Sequence, residues 1–429
     1  MKTLKILPLI MALVIMCSCG SSGVAGGFDQ PVSSDLPQQN EEVPPPAEEE
    51  FPEIIIDEPP VPPDTTVKLS IVGDVLIHNT LISKAYDAER DYYDFSPNFQ
   101  YVKHHFEDSD VVITQIEGAL AGSDWAYSGY PSFNTPEDIL DALKDMGVNL
   151  ITLAGNHALD FGWKGLNSTY NFLEEAGIDH VGTYLSREER DATNGVLLKE
   201  VKGVKIAFLS YTYGTNGIPT PDGKDWCVNI LYNDYLTYFT DLNADAIIAD
   251  LQAAKDMEPD LIVAITHWGT EYQTVQNGYQ EAAAKVFLEN GADIVFGGHP
   301  HVLQPMVMRS VTTVDGEEKE AFVSFSLGNF VSGQYYDYTN LSAILSVEVT
   351  KSGESGNTEI TDVSYVPTYC TNAYQGETDG YYVLDIYEAI EGYENGQPGV
   401  VDEALYASLQ EGLNDIHSIL GTEFDYRHK

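Results

Sequence analysis

The sequence predicts an α/β domain of layered sheets and helices behind a disordered N-terminal tether. Two observations carry that reading. From Val67 onward, short apolar runs rich in β-branched residues alternate with amphipathic helical stretches. Before Val67, the segment Ser21 to Thr66 holds eleven Asp or Glu, no Lys or Arg, and proline clusters at Pro44 to Pro46 and Pro59 to Pro63. Such a segment cannot bury enough apolar surface to fold, and its prolines stiffen it into an extended spacer.

Composition sets the outer bounds. An apolar fraction of 43% with 27 tyrosines is too high for a wholly disordered chain, and four cysteines in 429 residues are too few for a disulfide scaffold. The formal net charge of −46 excludes a phosphate-backbone footprint, which needs clustered Lys and Arg that release counterions. Nucleic acid is therefore not an expected partner.

In chain order, Lys2 and Lys5 precede the uncharged run Ile6 to Met16, which has the length of an export signal and is too short to span a bilayer. The tetrad Cys17-Ser18-Cys19-Gly20 that follows resembles the lipobox of bacterial lipoproteins, with Cys19 as the acylated residue. A plain secretory signal with incidental cysteines is the alternative. Residues 1–19 thus read as signal peptide and 20–66 as an acidic linker holding a domain off the extracytoplasmic face of the cell membrane. From Val67 onward 56 acidic face 19 basic residues, so the domain itself carries a net −37. Its two cysteines, Cys227 and Cys370, could form one disulfide or remain two thiols.

Strand-like runs are Lys68 to Val72, Val111 to Ile116, Leu150 to Leu153, Lys205 to Ser210, Leu261 to Thr266, Ile294 to Phe296 and Phe322 to Leu327. Helices are expected after Thr135, from Trp163 to Ala176 with Gly177 as the stop, from Asn243 to Asp256, and from Glu281 to Asn290. Gly214 to Phe239, rich in Gly, Pro, Asn and Tyr, reads as a long loop. The main domain spans 67–385, and 386–429 is expected to be an acidic helical extension, a small subdomain or a partner surface, with Val401 to Leu420 as its helix.

The chemistry-bearing residues share one position, just past the C-terminal end of an apolar run, where open α/β sheets bind ligands. These ends carry Asp74, Glu117, Asn156-His157, His267 and His299-Pro300-His301. Each alone has an ordinary structural explanation: a turn or cap for Asp74, a left-handed turn for Asn156, a packed histidine for His267. Together, two carboxylates, an amide and three imidazoles suit two divalent ions held a few ångströms apart, with Glu117 as the carboxylate between them. Manganese, iron and zinc all fit this donor mixture.

In that order, Gly73-Asp74, the Glu117 motif, Gly155-Asn156-His157 and Gly298-His299-Pro300-His301 resemble the calcineurin-like metallophosphoesterase superfamily. That resemblance implies a four-layer β-sandwich flanked by helices and a dinuclear metal centre. More narrowly, Ile116-Glu117-Gly118, Gly155 to Asp160, His267 to Tyr272, Gly298 to Gln304 and Ser326-Leu327-Gly328-Asn329-Phe330 are similar to the CapA family of bacterial poly-γ-glutamate capsule-synthesis proteins. The resemblance covers roughly Val67 to Asp385.

The resemblance implies that Asp74 and His301 bind the first metal, that Glu117 bridges, and that Asn156, His267 and His299 bind the second. His157, oriented by Asp160, would act as an acid or electrostatic stabiliser. Glu271, Tyr272 and Asn329 are substrate-side candidates, each read equally well as the partner in a structural hydrogen bond. Two departures stand out: Leu76 occupies the place of the histidine in the superfamily's Asp-x-His motif, and the bridge is Glu rather than Asp. The nearest imidazole is His78, four residues past Asp74 and so on the same face of an extended strand.

The implied function is a lipid-anchored metal-dependent hydrolase of a phosphoester or envelope-polymer bond, linked to capsule or poly-γ-glutamate synthesis. The alternative is a non-catalytic, metal-stabilised component of a poly-γ-glutamate synthesis or export machinery, with capsule-synthesis proteins or an anionic surface polymer as partners. A domain of charge −37 and a polyanion repel beyond a Debye length, so direct binding would need bridging cations. An exported nucleotidase would need an aromatic base-stacking clamp, which the irregular loop 214–239 does not decide.

Overall fold

The computed structural model describes residues 61–429. The export signal, Cys19 and the linker through residue 60 lie outside the described residues. The first strand begins at Thr65, so the last two residues of the expected linker already belong to a sheet.

Two sheets stack face to face. The larger orders its strands Val383–Asp385, Thr358–Cys370, Leu341–Lys351, Thr65–Leu76, Val111–Ile116, Leu150–Thr152 and Asp179–Val181, with Asn329–Ser332 also paired to Thr65–Leu76. The smaller orders Leu303–Thr312, Glu318–Leu327, Ile294–Gly298, Leu261–His267, Val204–Thr212 and Leu197–Val201. In the smaller sheet the central strands run parallel and the two outer ones antiparallel. In the larger, Thr65–Leu76 through Asp179–Val181 run parallel to one edge and the strands on the other side pair antiparallel.

Two-residue alternation sorts the apolar side chains between layers. Leu261, Val263 and Ile265 point into the space between the sheets, where they meet Leu69, Ile71, Val111 and Ile113 of the other sheet. Ile262 and Ala264 point outward onto the helices Ala244–Asp256 and Gly278–Glu289, packing with Ile247, Leu251, Ala283 and Phe287. On the opposite outer face, Val72, Val112 and Ile151 pack on Ile139, Leu143 and Leu173 of the helices Ile139–Met146 and Gly162–Ala176. The result is the expected α/β architecture in four layers: helix, sheet, sheet, helix.

Helix ends follow their caps. Gly162–Ala176 stops at Gly177 in the left-handed conformation, φ 66°. Gly278–Glu289 begins three residues before the expected Glu281 because Asn277 and Gln280 form a reciprocal capping box. The helix expected directly after Thr135 begins at Ile139, with a turn in between.

Residues 386–429 share the body of the domain. Helices Ile386–Glu394 and Glu403–Leu420 follow the larger sheet, and Leu405, Leu409, Ile416 and Leu420 sit in the inter-sheet core. The Tyr365 N–H donates to the Phe424 carbonyl at 2.7 Å, fixing the segment beyond the last helix. Cys227 and Cys370 are both buried and unbonded, and burial pushes their thiols up to about 11 and about 12, so neither is poised as a thiolate. Among the described residues, no helix is long and apolar enough to cross a membrane.

If the last long helix is part of the core, Leu409→Ala will destabilise the full chain by about 2 to 5 kcal/mol, while a change at exposed Asn414 stays within about 0.5 kcal/mol. Urea unfolding of the two variants measures both.

Candidate metal centre

The C-terminal ends of the parallel strands in both sheets meet at one rim, and the polar residues expected there converge. The His299 N–H donates to Asp74 Oδ2 at 3.0 Å, joining the first sheet to the second. Asn156 Oδ1 lies 2.9 Å from His267 Nε2, which is 3.7 Å from Glu117 Oε1. His301 Nδ1 lies 3.6 Å from Glu117 Oε2 and 4.0 Å from Asp74 Oδ2. All six residues are buried.

Their ligand atoms fall into two overlapping groups, each within 4.8 Å: Asp74, Glu117 and His301 in one, Glu117, His267 and His299 in the other. Glu117 is common to both, the position a bridging carboxylate needs. Asn156 stands beside His267 in the second group. A third group joins Glu271 to His299 and His301, so this carboxylate reaches the ligand pair as well as the cavity.

Backbone geometry aims the imidazoles. His299 and His301 have φ of 95° and 61°, a left-handed conformation that costs of the order of 1–3 kcal/mol each. The glycines before them allow the approach: a Cβ on Gly297 would lie 2.0 Å from the Phe325 carbonyl oxygen, and one on Gly298 would lie 2.7 Å from Asp74 Oδ1.

The donor set fits divalent ions. Both oxygens of Glu117, Nδ1 of His267 and Nδ1 of His299 are buried without any hydrogen-bond partner, a cost that folded proteins rarely leave uncompensated. Burial, reinforced by Asp74, holds the Glu117 carboxyl well above the usual carboxylate range, and burial pushes Asp74 up to about 7 against the lowering His299 N–H. Burial followed by neighbouring imidazoles holds His267 and His299 well below the usual imidazole range, and burial takes His301 down to about 4. Without a cation, burial favours the uncharged carboxyls, and these neutral imidazoles form no ion pairs with them. They are ready ligands, and a dication would return the carboxyls to their charged form.

A cavity of roughly 460 Å³ opens beside Glu117 and His301 and is lined by His157, Glu271 and Tyr272. His157 Nδ1 is 2.7 Å from Asp160 Oδ2, which also accepts the Phe133 N–H at 2.7 Å. This fixes the imidazole edge-on to Phe133. Asn329 does not line the cavity. Its Oδ1 is 3.0 Å from His301 Nδ1 and its amide donates to Gln334 and the Thr339 carbonyl, so it positions His301. His78 lines the cavity outside every ligand group, its Nδ1 accepting the Gly333 N–H at 3.3 Å. The same-face expectation fails because the strand shifts register after Asp74 and ends at Leu76.

Two neighbours escaped the sequence reading. Tyr213, one residue past the strand Val204–Thr212, tilts over His299 at 4.5 Å between ring centroids. Asn156 Nδ2 donates to Asn216 Oδ1 at 3.3 Å and to the Tyr213 hydroxyl at 3.4 Å. Tyr213 obeys the strand-end rule that found the others; Asn216 sits in the long loop and carries no such signal.

A family model described as bacterial capsule synthesis protein PGA_cap matches residues 68–334, which include every ligand above. The chain is 29% identical over 295 residues to the capsule biosynthesis protein CapA of Bacillus anthracis, covering 66% of this chain and 64% of that protein, just under two thirds of its length. It is 28% identical over 302 residues to the PGA biosynthesis protein CapA of Bacillus subtilis, covering 70% of this chain and 72% of that one. Among solved structures, the calcineurin-like phosphoesterase YfkN of Bacillus subtilis overlaps with a TM-score of 0.39 at 15% identity, covering 71% of this chain and 91% of that chain. That overlap is too loose to transfer a residue's role.

Elemental analysis of protein purified without chelator will separate the two groups. Glu117→Ala is expected to empty both, Asp74→Ala the first alone, and His267→Ala the second alone. Chelation of the native chain will lower its thermal midpoint, since an ion at a hundred times its dissociation constant stabilises by about 2.7 kcal/mol.

Proposed function

The chain belongs to the bacterial capsule synthesis protein PGA_cap family, and from that premise we propose that it is a membrane-anchored, extracytoplasmic hydrolase, dependent on two divalent ions. It would cleave a phosphoester or another bond of an envelope polymer in capsule or poly-γ-glutamate synthesis. The observation that carries this reading is the buried Glu117 carboxylate, unpartnered at both oxygens and shared by two ligand groups.

When bound, the ions would supply electrophilic polarisation of the scissile group and lower the pKa of water toward neutrality. The rest falls to side chains. Asp74, His301 and Glu117 would hold one ion, and Glu117, His267, His299 and Asn156 the other. Asp160 holds the Nδ1 proton of His157, so once Nε2 is protonated as well it is Nε2 of the imidazolium that would give its proton to the departing oxygen. Phe133 packs edge-on against that ring and limits its rotation. Glu271 and Tyr272 stand on the cavity wall, where a substrate would lie.

One observation favours the non-catalytic alternative, a metal-stabilised component of the export machinery: Leu76 stands where the superfamily's motif has a histidine. The two readings part at His157. If the chain is a hydrolase, His157→Ala will lower turnover of generic phosphoesters roughly 10²- to 10⁴-fold with metal content unchanged, and Asp160→Asn will lower it by a smaller factor. Normal polymer export with His157→Ala, and no turnover by the native metal-loaded chain, would instead favour the alternative. Independently, Cys19→Ala is expected to move the chain from the membrane to the soluble fraction.

A further inference from the structure

Metal binding does not account for the wall of the cavity. Tyr130, Tyr272, Tyr335 and Tyr336 line it and are 73%, 38%, 57% and 53% exposed. From His301 the rings continue outward in contact: Tyr272 lies 5.9 Å from the imidazole centroid, Tyr336 5.0 Å from Tyr272, Tyr335 5.3 Å from Tyr336, and Tyr374 6.1 Å from Tyr335. The row is held in place by backbone and amide contacts. The Tyr272 N–H donates to the Pro300 carbonyl at 2.8 Å, and Asn372 Nδ2 donates to the Gln334 carbonyl at 2.9 Å. Beyond it lies a second cavity of roughly 500 Å³ that shares Gln334, Tyr335 and Tyr336. The two cavities lie on either side of a shared tyrosine wall and together offer more lining than a small metabolite needs.

Charge and ring geometry narrow the occupant. Among the described residues, no Lys or Arg lines either cavity; the groups that do are Glu117 and Glu271 in the first and Asp337, Glu411 and Asp415 in the second. A chain bearing a carboxylate on every unit would meet repulsion throughout the second cavity, and in the first only ions bound at the metal centre would offset it. A clamp that sandwiches a nucleobase needs a slot between two rings, yet successive tyrosines here touch each other at tilts of 61°, 33° and 32°, leaving no such slot. What fits is a series of saturated rings with a C–H face and hydroxyl groups. Hexose units lay that face on exposed tyrosine rings and give their hydroxyls to Gln334 and the carboxylates.

We infer that the tyrosine row is a binding groove for an uncharged glycan several hexose units long, which it leads toward the metal centre. The arrival of a scissile group at the metals rests on the hydrolase reading above; the groove itself does not.

The test is titration of the full metal-loaded chain with chitotetraose and cellotetraose as neutral probes and with tetra-γ-glutamate as the anionic one, followed by calorimetry. Binding of at least one neutral tetrasaccharide, about tenfold or more tighter than tetra-γ-glutamate, is expected. Tyr336→Ala should weaken it about tenfold, whereas Tyr336→Phe, which keeps the ring face, should retain most of it. Tyr336 is exposed, and an unchanged unfolding midpoint would show that the variants fold. The inference is overturned if neither saccharide binds, if the glutamate oligomer binds as tightly, or if Tyr336→Ala leaves affinity unchanged. Saccharide binding without hydrolysis of any phosphoester would count against the hydrolase and leave the groove standing; turnover without saccharide binding would do the reverse.

Discussion

The structure depends on one uncompensated interaction: the carboxylate of Glu117, fully buried, with no donor for either oxygen. In a low-dielectric interior such a group either takes up a proton or finds a cation. Among the described residues the neighbouring side chains do not offer the cation, since the surrounding imidazoles are themselves driven neutral by burial. The remaining features follow from keeping this arrangement intact. Two sheets bring their parallel strand ends to one rim, and the His299 N–H reaches across to Asp74.

Local strain has the same origin. His299 and His301 adopt left-handed backbone conformations that residues with a Cβ avoid, and the preceding glycines sit so close to Phe325 and Asp74 that no side chain fits. The inter-sheet core of branched aliphatic residues supplies the burial that holds these turns in place. Around this centre the second ring of contacts is polar and specific: Asp160 on His157, Asn329 on His301, Asn156 on His267.

Much of this was legible in the sequence for a physical reason. Parallel central strands are buried on both faces, so Val111 to Ile113 and Leu261 to Ile265 read as unbroken apolar runs, and the polar residues that follow them announce the site. The antiparallel strands Leu341–Lys351 and Thr358–Cys370 carry Thr, Ser, Glu and Asp on their partly exposed stretches, and they did not stand out. Strand periodicity alone does not locate His78, because the register shifts after Asp74 and the strand ends at Leu76. For Asn329 the structural alternative is the one the contacts fit, because its amide is consumed by His301, Gln334 and Thr339. The tyrosine row could not be read at all, since it assembles from Tyr272, Tyr335, Tyr336 and Tyr374, which only tertiary packing brings together.

The pairing of Thr65–Leu76 has a consequence for the order in which the molecule can form. That strand lies in the middle of the larger sheet, and two of its partners, Asn329–Ser332 and Leu341–Lys351, are translated far later. On its other side Thr65–Leu76 pairs with Val111–Ile116, which continues through Leu150–Thr152 to Asp179–Val181, so half of the sheet comes from strands made early. That half keeps a bare edge on the ribosome until the late strands emerge, and closing so long a loop is the slow step that completes the sheet.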